Sequence, residues 1–435
     1  MGFLFLHAAD LHLDSPFTCL SRDFPQELSE ALIGAQFDAL ERLIDLAIAS
    51  DCTFLCLAGD IFDTGEFSLS AKMRFLDKVA RLKQHNIKTF MVLGNHDPLG
   101  PTGSPPLPSN QEKDGIHVFT QELETCSIKA KDGTECLVSG ISFRRKKESR
   151  NLALLFRAIQ GPADAISIGL LHTNCGRISG HGDYAPCTIS DLALSPVDYW
   201  ALGHVHTYRC LREADPVIAY PGVIQARHFG EKGPKGAILV KVEDGPHFKP
   251  VFVELDTIRW EDIEIRAGGY RSLDELNDHI LSAISKTTRE NPAPFSAAYP
   301  TKFRLLRVIL IGKAKLKKML FRLDFLNDLK ESLNIKLFED HGIWIDEILD
   351  LTSHDENRHG SWTANDLAHE IIETTKKFKN DQALREILSR EIDALFRKRE
   401  LARLLHMPDE VELDHLISEA GDLILELLED DSVTR

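Results

Sequence analysis

Through the first 257 residues, short apolar runs alternate with longer amphipathic stretches. Phe3–Ala8, Thr53–Ala58 and Lys88–Leu93 are apolar or β-branched runs of strand length, and between them Glu27–Ala49 and Ser68–Lys83 carry apolar residues at helical spacing. That β-α-β-α-β order predicts parallel strands joined by crossover helices. Further strands are predicted at Ala165–Leu171, Tyr199–Leu202, Ile218–Pro221, Ala237–Val242 and Phe248–Leu255. Asp97–Asp114 is rich in Pro, Gly and Ser and is expected to be an irregular loop. A second unit begins at Ile258, with strands at Ile258–Arg266, Phe303–Ile311 and Gly342–Leu349 and helices at Ser272–Ser285 and Leu316–Leu333. A polar bridge, Ser353–Gly360, leads to a helical end. One apolar stripe there holds Leu384, Ile387, Leu388, Ile392, Leu395 and Phe396, and another holds Leu413, Leu416, Ile417, Ala420, Ile424 and Leu427.

Composition narrows the class without fixing the function. The 435 residues suffice for two or three domains with a sizeable core. No apolar run approaches bilayer length, so no membrane association is expected. MGFLFLHAAD has no basic region before its apolar stretch and reads as a first strand instead of a secretory signal. Eight scattered cysteines without a CxxC fit free thiols in a reducing cytoplasm. A net charge of −16 speaks against nucleic acid on charge alone. Half of that excess, however, lies after Ser361, where ten basic residues face eighteen acidic ones.

The chemistry sits at the ends of the predicted strands. They carry Asp10 and His12, then Gly59-Asp60, then Gly94-Asn95-His96-Asp97, then His172, then His204 and His206. In open α/β sheets, ligands bind at the carboxyl ends of strands. Residues i and i+2 of a strand share a side, so Asp10 with His12, and His204 with His206, are each expected to converge on one ion. Carboxylate, imidazole and one amide oxygen form a mixed set suited to Mn2+, Fe2+ or Zn2+ rather than Ca2+. A lone D-x-H or G-D is common in ordinary turns. Five such fragments in fixed order, each closing an apolar run and together supplying ligands for two metals, are not.

These fragments resemble the calcineurin-like metallophosphoesterase superfamily. In fuller context, FLHAADLHLDSPF, LAGDIFD, VLGNHDPL and YPGVIQARHFGEKGPKG are similar to DNA-repair exonucleases of the SbcD and YhaO type. The resemblance covers residues 1–257 well, the next segment less specifically, and the last 75 residues only in being helical. It implies an α/β fold: a two-sheet sandwich flanked by helices over 1–257, a small α/β capping and DNA-binding domain over 258–352, and a helical partner-binding tail over 353–435. It also implies two divalent ions, with Mn2+ expected, about 3.5–4 Å apart. One would be held by Asp10, His12, Asp60 and His206, the other by Asp60, Asn95, His172 and His204, with Asp60 bridging. His96 corresponds to the family's catalytic histidine, able to protonate the leaving oxygen while hydroxide attacks phosphorus in line. Asp97 is expected to orient it.

The resulting expectation is a manganese-dependent DNA nuclease, acting on DNA with an SMC-like coiled-coil ATPase and as a homodimer within that complex. No G-x-x-x-x-G-K-[ST] loop occurs, so ATP dependence would come from another chain. A phosphodiesterase of small phosphoesters or cyclic nucleotides, and a low-turnover scaffold, are the alternatives. Outside the motifs, His7 is expected to pack in the core, His181 and His228 to lie in loops, and Cys52 and Cys56 to fill core. Two basic runs, Arg144–Lys147 with Arg150, and Arg304, Arg307, Lys313, Lys315, Lys317, Lys318 and Arg322, are candidates for phosphate contact.

Overall fold

The computed structural model of the chain describes residues 2–15, 24–63, 68–100, 107, 115–178, 182–243, 245–268, 270, 272–289, 299–314, 323–354, 366–396, 413–418 and 420–421. It opens with β1 (Gly2–Ala8), α1 (Gln26–Ala49), β2 (Phe54–Ala58), α2 (Leu69–Gln84) and β3 (Lys88–Val92), within two residues of the ends predicted from hydrophobic spacing. β4 (Ile116–Val118), β5 (Glu124–Lys129), β6 (Glu135–Ile141) and β7 (Ile166–His172) follow. After a short α3 (Ile189–Ala193) come β8 (Tyr199–Gly203), β9 (Arg209–Arg212), β10 (Val217–Tyr220), β11 (Gly236–Glu243) and β12 (His247–Glu254).

These strands form two six-stranded mixed sheets, β12-β11-β1-β2-β3-β4 and β5-β6-β7-β8-β10-β9. Phe5, Phe54 and Phe90 of the first sheet pack with Val138, Ile168 and Tyr199 of the second in one buried cluster. On the first sheet's other side, α1 and α2 cover it through Leu40, Leu43, Ile44, Phe75 and Leu82. Trp200, Phe156 and Leu192 bury the far side of the second sheet. Both sheets are thus apolar on both faces, which is why β2 and β8 read as continuous apolar runs instead of alternating ones. The two-sheet sandwich flanked by helices is the fold the motifs imply.

β4, β5, β6 and β9 lie outside the runs predicted from hydrophobicity. β5 alternates half-buried and exposed residues along a sheet edge, so its composition is that of a polar segment. Its hairpin with β6 turns at Asp132-Gly133, where Gly133 takes φ 95°. An Asp-Gly between two strands is a hairpin signal carried by the sequence itself.

The chain continues with β13 (Ile258–Arg266), α4 (Leu273–Arg289), β14 (Phe303–Ala314), α5 (Leu323–His341) and β15 (Ile343–His354), the strands forming a sheet in the order β13-β14-β15. α6 (Asp366–Asn380) and α7 (Gln382–Phe396) follow. Two compact units result. The first comprises residues 1–263, 277–308 and 326–348, and the second 264–276, 309–325 and 349–435. Within the first, Trp260, Phe303 and Leu305 are buried with Leu28 and Leu32 of α1, and Trp344 meets Phe24 edge-on. Within the second, α6 packs on α7 and Arg385 pairs with Asp414. The bridge from Ser353 to Gly360 beyond His354, the predicted helix start at Leu316, and the stripe residues Ile424 and Leu427 lie outside the described residues. Among those residues, no helix is long and apolar enough to cross a membrane, and every cysteine is free.

Candidate metal centre

The ends of β1, β2, β3, β7 and β8 converge at one place. Past β1 the chain is zipped to the loop after β2: Asp10 N–H donates to the Gly59 carbonyl at 3.0 Å, His12 N–H to that of Asp60 at 3.1 Å, and Leu13 N–H to that of Ile61 at 2.9 Å. Asp10, His12, Asp60 and His204 all have positive φ, at 51°, 44°, 52° and 104°. Such conformations are costly for residues with a Cβ and gather where a site over-determines them. The glycines beside the motif residues permit close approach. A Cβ on Gly94 would lie 2.3 Å from an Asp60 carboxylate oxygen, and one on Gly203 would lie 1.9 Å from the Ala58 carbonyl oxygen.

Three groups of side chains meet here with ligand atoms within 4.8 Å of one another: Asp10, His12 and His206; Asp10, Asp60 and His172; and His12, Asp63 and His96. Asp10, His12, Asp60, Asn95 and His172 are all buried. His12 Nε2 and His206 Nε2 face each other at 3.3 Å, and the buried His12 Nδ1 has no hydrogen-bond partner. His172 Nε2 lies 3.0 Å from Asn95 Oδ1 and 3.3 Å from Asp60 Oδ2, while its Nδ1 lies 3.0 Å from the Ala58 carbonyl oxygen. Burial disfavours charge on His172, but Asp60, with Asp10 and the Ala58 carbonyl, lifts its pKa to about 9. Burial raises the Asp10 pKa to about 6. For Asp60, burial is outweighed by His172 and the neighbouring imidazoles, which hold its pKa below the usual carboxylate range. Two carboxylates, Asp10 and Asp60, are buried among these imidazoles. Those carboxylates, the opposed imidazole nitrogens and the orphaned His12 Nδ1 fit divalent cations of the first transition row.

His204 and His206 do not share a strand face, because both lie past the end of β8. The chain has left strand geometry at each of these positions, so i and i+2 no longer share a face. The His206 ring lies 5.0 Å from that of His12, whereas the His204 ring lies 5.2 Å from that of His172. His204 N–H donates to the Asp10 carboxylate at 2.9 Å, and its Nε2 lies 2.8 Å from the Gly182 carbonyl oxygen.

His96 sits at the rim, 29% exposed. Its ring is oriented by Asp63, not by Asp97. His96 Nδ1 lies 2.5 Å from Asp63 Oδ1, and although burial opposes it, the Asp63 hydrogen bond raises the imidazole pKa. Asp97 is buried and accepts backbone N–H groups from Ile61 at 2.7 Å and Gly94 at 2.8 Å, tying the β3 loop to the β2 loop. Burial and the nearby Asp60 charge push its pKa to about 7. The reason for the difference is geometric. Asp97 is next to His96 in sequence but turns inward, while Asp63, in the LAGDIFD segment, comes up beside the ring.

Glu231 and Arg227 were not singled out by sequence reasoning. Glu231 is buried, lies 2.7 Å from His206 Nδ1 and accepts from Arg227 at 2.8 Å. Arg227 Nη1 lies 3.6 Å from Asp63, so one guanidinium links the carboxylates behind His206 and His96. The available signal was the segment ARHFGE, whose charged pair at i and i+4 interrupts an apolar stretch. His7 is a core histidine as expected, with Nδ1 3.1 Å from the Tyr199 hydroxyl and its pKa lowered to about 3 by burial. Cys52 and Cys56 are buried core thiols. His228 accepts from Gly230 N–H in its loop, and His181 lies outside the described residues. In the second basic run, Arg304 pairs with Glu261 at 2.9 Å and buried Arg307 binds Asp262 at 3.0 Å, so both hold the fold together. Lys315, Lys317, Lys318 and Arg322 lie outside the described residues.

Comparison with known proteins bears on this geometry. The profile of the family described as "Calcineurin-like phosphoesterase" matches residues 3–208. The uncharacterized metallophosphoesterase YhaO of Bacillus subtilis is 32% identical over 289 residues, covering 66% of this chain and 68% of that protein. The DNA double-strand break repair protein Mre11 of Thermoplasma acidophilum is 23% identical over 272 residues, 59% of this chain and 68% of the relative. Mre11 of Sulfurisphaera tokodaii is 23% identical over 327 residues, 73% and 76% of the two chains. The profile match, the relation to YhaO and the clustered Asp and His side chains agree: the chain belongs to the calcineurin-like metallophosphoesterases, a family of metal-dependent phosphoester hydrolases.

Proposed function

We propose that this protein is a dimetal nuclease that hydrolyses phosphodiester bonds at DNA ends. The observation that carries the chemical part is the meeting of the His96–Asp63 pair with the other two Asp/His groups at one set of strand ends. Asp10, His12, Asp60 and His206 would hold one ion, and Asp60, Asn95, His172 and His204 the other, with Mn2+ the expected metal. Bound there, the ions would supply Lewis acidity, offsetting phosphate charge and making hydroxide available near neutral pH.

The chain's own residues do the rest. Asp63 accepts a hydrogen bond from His96 Nδ1–H and favours the imidazolium, which leaves Nε2–H as the proton to be given outward. As the new bond to phosphorus forms and the bond to the leaving oxygen breaks, His96 Nε2 passes its proton to that oxygen. General acid catalysis of this kind contributes about 10²–10⁴-fold. Glu231 holds His206 by its Nδ1, so Nε2 is presented toward His12 and Asp10.

DNA as substrate is supported by the kinship with proteins named for double-strand break repair. Residues 258–352 would serve as a capping and DNA-binding segment. The helices after 353 would dock onto an SMC-like ATPase by their apolar faces, where Ile387 is 53% exposed and Leu416 46%. The test is a comparison of Mn2+-dependent turnover on end-labelled duplex DNA, single-stranded DNA and bis(p-nitrophenyl) phosphate. Cleavage of DNA with a kcat/KM at least a hundredfold above that of the chromogenic diester supports a nuclease. Turnover of the small diester with no cleavage of either DNA would point to a phosphodiesterase of small molecules. No turnover on any substrate would point to a scaffold.

A further inference from the structure

We infer that Arg144, Arg145 and Lys146 form a subsite for a non-scissile phosphate of a polynucleotide strand, immediately beside the His96 loop. The inference rests on the nuclease reading above and gives it a binding direction. An open cleft of about 370 Å³ is lined by Pro98, Gly100, Arg144, Arg145 and Lys146. Its two walls are fixed to each other by backbone hydrogen bonds. Leu99 N–H donates to the Phe143 carbonyl at 2.9 Å, and Phe143 N–H donates to the Leu93 carbonyl at 3.0 Å. The three cations therefore follow directly from a residue pinned on both sides to the segment that carries Asn95 and His96.

Three features separate this cluster from an ordinary solvated basic patch. Arg144, Arg145 and Lys146 are exposed, and none pairs with a carboxylate among the described residues. Arg150, in the same basic run, is held by Glu148 at 2.7 Å and is thereby taken out of the set. The chain as a whole carries a net charge of −16, so a polyanion is repelled over most of the surface and attracted where cations stand unpaired. The cleft wall begins at Pro98, two residues after His96, a chain reach of at most about 7 Å. Successive charges on one strand are about 3.4 Å apart along a duplex axis, so the subsite matches a phosphate a few nucleotides from the scissile one. A guanidinium pair grips phosphate in forked geometry, and a lysine adds a point charge. No base edge is read by such a set, so it confers position on the strand without sequence preference.

The test uses the full-length protein loaded with Mn2+ and the triple variant Arg144→Ala, Arg145→Ala, Lys146→Ala, with Arg150→Ala as the control. Binding of a fluorescein-labelled 12-nucleotide single strand is titrated across salt concentration in a His96→Ala background, which slows cutting. Loss of this one phosphate contact should flatten the slope of log Kd against log salt by about 0.7 and weaken binding about tenfold. KM for the oligonucleotide should rise in step, and turnover of bis(p-nitrophenyl) phosphate should fall no more than about threefold. Arg150→Ala should leave the salt slope where it is. Replacing both arginines by lysine, which keeps charge and loses the fork, should restore most of the slope but not all of the affinity. An unchanged salt slope in the triple variant overturns the subsite while leaving the nuclease reading intact. An equal loss on both substrates overturns it too, because it assigns these cations to folding or chemistry. Should the wild-type protein hydrolyse the chromogenic diester yet neither bind nor cut oligonucleotides, the nuclease reading fails first and the subsite with it.

Discussion

His96 and Asp63 come from different loops, and their contact settles which carboxylate tunes the imidazole. Because Asp63 raises the His96 pKa, the protonated ring persists to higher pH than a free imidazole would. A general acid works while it holds its proton, so activity should decline as pH rises through that pKa. Asp63→Asn removes the supporting charge. Its kcat should fall about tenfold, and the alkaline limb of the kcat–pH profile should move to lower pH. Asp97→Asn should leave that limb in place and instead lower stability, since it weakens acceptance of the Gly94 and Ile61 N–H groups. A shifted profile in Asp97→Asn and none in Asp63→Asn would reverse the assignment. The proposed metal residues should respond differently. Asp60→Asn should lose bound metal together with activity, whereas His96→Ala should retain metal and lose about 10²-fold or more in rate. Elemental analysis beside initial rates separates the two.

Elements set how closely these residues can approach. β8 ends at Gly203, whose missing Cβ leaves room for the Ala58 carbonyl at the end of β2. Gly203→Ala has no flexible side chain to push aside, because the obstacle is backbone. It should destabilise the protein by about 1–3 kcal/mol, the range for overpacked sites, as read by urea unfolding. Gly94→Ala meets a different obstacle, the Asp60 carboxylate and the His172 ring. Its larger effect should be on metal content, measurable after dialysis against limiting Mn2+. Equal losses of stability and equal metal content in the two variants would count against this division. The strands, helices and their order were legible because both faces of each sheet are buried, which leaves long apolar runs. The edge strand β5 was not, since an element half in water has the composition of a loop.

For the whole molecule, the two sheets serve as the frame that brings five separated loops together, and the second compact unit carries the C-terminal helices. Deleting residues 362–435 should spare metal content and hydrolysis of bis(p-nitrophenyl) phosphate. If the proposed SMC-like ATPase docks on these helices, the deletion should abolish co-purification with it and any ATP-stimulated processing of DNA ends. Survival of that complex after the deletion would move the partner surface to the sheet sandwich. The sequence by itself determined the fold class and the identities of the candidate metal residues, because strand-length apolar runs closing in Asp, Asn and His are a local and ordered pattern. Tertiary structure alone decided which residue serves which. Asp97 adjoins His96 in the chain but points into the loop interior, while Asp63, 33 residues away, reaches the ring. Glu231 stands behind His206 from 25 residues away, and His204 and His206 part company across one intervening valine. Such pairings depend on how the chain leaves β1, β2 and β8, through positive φ at Asp10, Asp60 and His204, and those turns exist only once the sheets hold the loops against one another.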